Sequence, residues 1–160
     1  MNNLQELFHH MLMDVYYAEQ KIVKNLPTMA EKASTKALAE AFDHHREETQ
    51  GQLERLKEVF RSINEQPSGV TCEALDGLVE EAEEIIEGAR SDDVRDAGMI
   101  AAAQAIEHYE IARYGTLVAW AKEIGLDDAA KLLQATLDEE YAANDKLNEM
   151  AQGRINRQAA

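Results

Sequence analysis

The stretch Ala41–Leu53, AFDHHREETQGQL, lies inside a long run of helix-forming residues whose apolar positions recur at helical spacing. His45 and Glu48 fall within the apolar stripe of that run, where leucine or alanine would be cheaper to bury. Three further stripes are interrupted in the same way, by Glu19, by Glu107 with Glu110, and by Glu140. A carboxylate taken out of water is costly unless it is paired or bound to a metal. A chain that makes this choice on four helices needs a fold that brings them together.

The periodicity predicts those helices. The first is expected over Leu4–Lys32, with Leu7, Phe8, Met11, Val15, Ala18, Glu19, Ile22 and Leu26 on one face and Asn2 or Asn3 as its cap. Pro27 is expected to kink or break it near Asn25. Ser34-Thr35 can cap a second helix over Lys36–Asn64, and so short a junction makes the two antiparallel neighbours. Gln66-Pro67-Ser68-Gly69 is the clearest break in the chain. A shorter helix over Cys72–Ala89, apolar on one face and glutamate-rich on the other, stands where a crossover is needed. Two more long helices are expected, from Asp92 to Ile124, capped by Ser91 and stopped at Gly125, and from Asp127 to Gln152. Residues 1–152 then form one all-α domain, a four-helix bundle with an additional crossover helix, and residues 153–160 a short frayed tail. Each helical hairpin carries a ligand-like carboxylate on both its helices, in the manner of an internal pseudo-repeat.

Composition narrows the function classes. With 31 acidic against 16 basic residues the formal charge is −15, which repels nucleic-acid phosphates and anionic lipid, so neither nucleic acid nor membrane is an expected partner. No run approaches the length of a transmembrane helix, and MNNLQELFHHM lacks the pattern of a signal peptide. The single cysteine, Cys72, excludes an intrachain disulfide and a cysteine-based zinc cage, and a reducing cytoplasm is the expected setting.

Taken one at a time, these polar residues have ordinary explanations. A glutamate at a stripe edge reaches solvent or pairs with arginine, and a lone histidine is more often a hydrogen-bonded core residue than a ligand. The combination says more. His45 and Glu48, like Glu107 and Glu110, are three residues apart and leave one helix in similar directions. All six candidates fall near the middle of their helices, and midpoints share a layer in an antiparallel bundle. Five carboxylates and one imidazole suit two carboxylate-bridged first-row metals, iron or manganese ahead of zinc. Glu139 is the fallback for Glu140, being its immediate neighbour. Tyr16, Tyr109 and Tyr114 lie within about a turn of the candidates and can hydrogen-bond a ligating carboxylate, or sit as amphipathic rings at the core edge. Thr49 and Gln52 can line access to the centre or complete its hydrogen bonds. His44, His9-His10 and His108 read as peripheral.

The segments DVYYAEQ, FDHHREETQGQLERLKEVF, CEALDGLVEEA, AIEHYEIARYGTLVAWAKEIG and LLQATLDEEYAANDKL together resemble the YciF-like family of bacterial ferritin-like proteins over nearly the whole chain. The resemblance implies a ferritin-like bundle with an additional helix and a rubrerythrin-like di-metal site. It implies Glu19, His45, Glu48, Glu107, Glu110 and Glu140 as the ligand set, a homodimer and a role in stress responses. His45 precedes Glu48, whereas the usual ferritin order is glutamate and then histidine three on. No CxxC module of the rubredoxin kind accompanies the bundle. Two readings of function follow. The first is a di-metal protein, diiron by preference, reactive toward dioxygen or peroxide. The second is a non-enzymatic, stress-associated dimeric interaction protein whose metal site is structural or vestigial.

Overall fold

The computed structural model describes residues Met1–Ala160. Helices α1 (Leu4–Lys32) and α2 (Lys36–Ser62) form one hairpin, α3 (Glu73–Gly88) crosses over, and α4 (Asp92–Glu123) and α5 (Asp127–Met150) form the second hairpin. A π-helical turn, Ala151–Ile155, leads into the short α6 (Asn156–Ala159). The architecture is the expected all-α bundle with a crossover helix, and no helix is long and apolar enough to cross a membrane.

Local chemistry sets the helix ends. The Asn3 side chain accepts from the Glu6 backbone N–H at 2.8 Å, and Ser91 Oγ accepts from Val94 N–H at 3.3 Å. Gly125, with φ 77°, ends α4 in the left-handed conformation, so that Leu126 N–H reaches back to the Ala121 carbonyl at 2.8 Å. Asn64, with φ 60°, does the same for α2, which therefore stops at Ser62 rather than continuing through Asn64. Thr35 stands at the start of α2 but makes no side-chain cap. The turn is tied down from α4, where the buried Asp96 accepts from Ser34 N–H and Oγ–H at 2.8 Å each and from Thr35 N–H at 3.2 Å.

Two expectations need correction. Pro27 does not break α1, which runs unbroken to Lys32; the proline lies close enough to the C-terminal end that few helical hydrogen bonds follow it. The tail is not frayed, because Ala151 and Ile155 are buried against the core beside Leu147 and hold the last turns in helical form.

The core consists of two apolar clusters. One gathers Phe8, Leu12, Val15, Leu56, Phe60, Leu117 and Leu133. The other gathers Ile22, Leu26, Leu38, Phe42, Leu75, Met99 and Leu147. Near the junction of the two clusters on each long helix lie buried polar residues: Glu19 on α1, His45, Thr49 and Gln52 on α2, Glu107 and Glu110 on α4, and Glu140 on α5. The fold thus places a polar layer between two apolar plugs.

Candidate metal centre

In that layer His45, Glu107, Glu110 and Glu140 each offer a ligand atom, and these atoms all lie within 4.8 Å of one another. His45 Nε2 is 3.2 Å from Glu107 Oε1, although not aligned for a hydrogen bond. Both oxygens of Glu110, both oxygens of Glu140, Glu107 Oε2 and both nitrogens of His45 are buried without a hydrogen-bond partner. Buried polar atoms are nearly always satisfied, and a cluster of orphan lone pairs converging from three helices is what a cation would satisfy. The donors are hard oxygens with one imidazole nitrogen, and they fit a first-row divalent metal.

Glu19 stands next to this quartet. It is fully buried, receives the hydroxyl of Tyr114, which is itself fully buried, and leaves its Oε2 unpartnered. Glu48 is the outlier of the six. Its side chain is 29% exposed, and it lies 3.3 Å from His44 Nε2 and 3.7 Å from His45 Nδ1. Helical phase explains the difference, since at about 100° per residue the buried positions of α2 run from about −40° (Ala41, Val59) to about +60° (Phe42, Phe60) of His45, and Glu48 lies just outside them at about −60°.

Burial pushes the carboxyls of Glu19, Glu107 and Glu110 well above the usual carboxylate range, and the charge of Glu140 adds to the effect on each. Glu140 is also raised by burial, with the charge of His45 acting against the rise. Glu48 is held below the usual range, mainly by His45 and then by His44. Without a cation, the layer therefore favours carboxylic acids over carboxylates.

The remaining polar candidates divide. Tyr114 bonds a candidate ligand as expected. Tyr109 does not: two residues beyond Glu107, it faces the other side of α4, donates to Asp14 Oδ2 at 2.7 Å and has Cys72 Sγ at 3.1 Å from its hydroxyl. Tyr16 packs edge-on against Phe60, with ring centroids 5.6 Å apart, in the apolar plug. Thr49 Oγ1 donates back to the His45 carbonyl at 2.8 Å and makes no bond to a carboxylate. Gln52 Nε2 donates to Glu139 Oε2 at 3.1 Å, and Glu139 is clamped by Arg55, so Glu139 belongs to an ion pair rather than to the quartet. Asp14 had no place among the candidates, because at one turn from its neighbours on α1 nothing in the periodicity distinguishes it from a solvated acid. A cavity of about 100 Å³ reaches the edge of the layer at His45, Glu48 and Glu107, walled by Ile22, Phe42, Val79 and Ile106, with His44 and Lys146 among its lining residues.

Two hairpins, a crossover helix and a carboxylate–histidine layer at mid-height define a helical-bundle protein of ferritin-like architecture with a candidate metal centre. The chain belongs to the family described as a domain of unknown function, DUF892, whose profile matches residues 3–160. It is 44% identical to protein YciF of Escherichia coli K12 over 160 residues, covering 99% of this chain and 96% of that one. The crystal structure of the E. coli stress protein YciF superposes with a TM-score of 0.93 over 98% of this chain and 99% of that chain. YcfI from Rhodopseudomonas palustris, 51% identical, superposes with a TM-score of 0.90 over 92% of this chain and 94% of that chain. A Xanthomonas campestris protein, 22% identical, shares the fold with a TM-score of 0.78 over 97% of this chain and 95% of that one. The family resemblance carried by the sequence motifs is therefore established.

Proposed function

We propose that this protein binds two divalent first-row metal ions, iron by preference and manganese or zinc as substitutes, and that the loaded centre reacts with dioxygen or peroxide. The observation that supports this reading is the quartet of His45, Glu107, Glu110 and Glu140, whose buried donor atoms converge without partners. His45, Glu107, Glu110 and Glu140 would hold one ion, and Glu19, buried beside them, would help to hold the second. A bound iron pair would supply one-electron or two-electron reduction of the oxidant. The chain's own part is to keep the layer dry between two apolar plugs, to hold carboxylates ready to ionise when a cation arrives, and to orient Glu19 through Tyr114. The cavity bordered by His45 and Glu107 gives a small uncharged oxidant an apolar approach. The stress protein YciF, similar over the whole chain, supports a stress-related role. A homodimer and a cytoplasmic setting belong to the same proposal, and sedimentation tests the first.

The test is ferrous oxidation by the purified, iron-loaded protein, compared with a Glu110→Ala variant. Fast oxidation that the variant loses is the expected result. Oxidation at the rate of free ferrous ion in the wild type would leave the non-enzymatic reading, an interaction protein with a structural metal site.

A further inference from the structure

Gln52 is fully buried, and its Oε1 has no hydrogen-bond partner. Its amide cannot be turned the other way at no cost. Nε2 faces Glu139 Oε2 at 3.1 Å, and Glu139 is paired with the Arg55 guanidinium through both its oxygens, one of them at 2.7 Å. A carboxylate fixed by arginine only accepts, so it selects the amide N–H and leaves the oxygen as the free end. Arg55 is anchored in turn by Thr136 Oγ1 at 3.0 Å. The chain Thr136–Arg55–Glu139–Gln52 therefore locks one face of a buried amide and presents the other.

The place of Gln52 in the fold says what that oxygen is for. The two hairpins turn through connections of equal length, residues 33–35 and 124–126. In the second hairpin Glu140 follows Glu107 by 33 residues, and in the first Gln52 follows Glu19 by 33 residues. Gln52 thus stands at the same interval from Glu19 as Glu140, a member of the quartet, stands from Glu107, although about one helical turn further from its own hairpin turn. It sits on the same face of α2 as His45, and its partner Glu139 bears electrostatically on both Glu19 and Glu140. On the Glu19 side, by contrast, no imidazole is available, since His45 lies with the quartet.

We infer that Gln52 supplies a neutral oxygen ligand, Oε1, to the second metal position, the one held by Glu19, and that Arg55 and Glu139 position it. This rests on the metal-centre reading above and deepens it. A neutral amide in place of a carboxylate makes the two positions unequal in charge, so the second ion binds more weakly and exchanges faster than the first.

The test is titration of the metal-free, full-length protein with Mn²⁺, followed by calorimetry and by metal analysis after dialysis. The wild type is expected to take two ions in two resolved steps. Gln52→Met, which keeps length and volume but removes the donor, should weaken the second step at least about tenfold and leave the first unchanged. Glu139→Gln, which frees the amide to turn, should weaken the second step by a smaller factor; it carries the test if the methionine variant fails to fold by circular dichroism. Two ions bound by Gln52→Met with wild-type affinities would overturn the inference, as would a wild type that takes only one. A wild type that takes none would overturn the metal-centre reading itself.

Discussion

The hydroxyl of Tyr114 on α4 donates to the carboxylate of Glu19 on α1, and both side chains are fully buried. The bond ties the first hairpin to the second at the level of the candidate centre. Tyr114→Phe removes the donor and strands a second oxygen of Glu19. A stability loss of about 1–3 kcal/mol is expected for the metal-free protein, read from urea unfolding. An unchanged unfolding free energy would mean that the hydroxyl does not orient Glu19.

The metal-free protein should lose stability as pH rises across the acid range. The carboxyls of Glu19, Glu107, Glu110 and Glu140 are raised in the folded state, so the fold holds protons that the unfolded chain, with carboxyls near about 4.3, has released. Their contribution is fully present below that value and is lost as pH rises through the folded-state values. Glu110→Gln removes one of these groups, so its melting temperature should fall less between pH 5 and pH 8 than that of the wild type (both pH limits about 1–4 units above the unfolded value). With Mn²⁺ present the trend should reverse, because binding to carboxylates releases protons. Parallel pH profiles for the two metal-free proteins would contradict this.

Asp96 is buried yet holds the α1–α2 turn by three hydrogen bonds, two from backbone N–H groups and one from Ser34 Oγ. Asp96→Ala leaves three donors to find water at a packed junction. It should cost roughly 3 kcal/mol in unfolding free energy, whereas Glu84→Ala on the exposed face of α3 should change it by less than about 0.5 kcal/mol. Equal effects would show that the turn does not depend on Asp96.

Much of this was legible in the residues. Long stripes such as Phe8, Val15, Ile22 and Leu26 repeat over about five turns, and the helix bounds agree with them to within a residue or two. A glutamate on such a stripe is placed correctly in depth, which is why Glu19, Glu107, Glu110 and Glu140 were readable as buried. At a stripe edge a small difference in phase decides what a side chain does, and the apolar pattern does not resolve it. Glu48 looked equivalent to His45 but lies far enough round α2 to meet solvent and His44. Tyr109 and Asp96 depend on partners, Asp14 and Ser34, that are distant in the chain and come together only once the hairpins dock. The helical tail was likewise decided by tertiary packing, which outweighs local propensity, whereas Pro27 is tolerated because it lies near the end of α1.

The central claim is that the buried quartet is built for a cation. The most direct measurement is the Mn²⁺ affinity of the metal-free protein, compared between wild type, Glu110→Ala and Glu48→Ala. Binding by the wild type, a loss of at least about 100-fold in Glu110→Ala, and a loss of less than about tenfold in Glu48→Ala are the expected results. A wild type that binds no metal, or a Glu110→Ala protein that binds it as tightly as the wild type, would contradict the account.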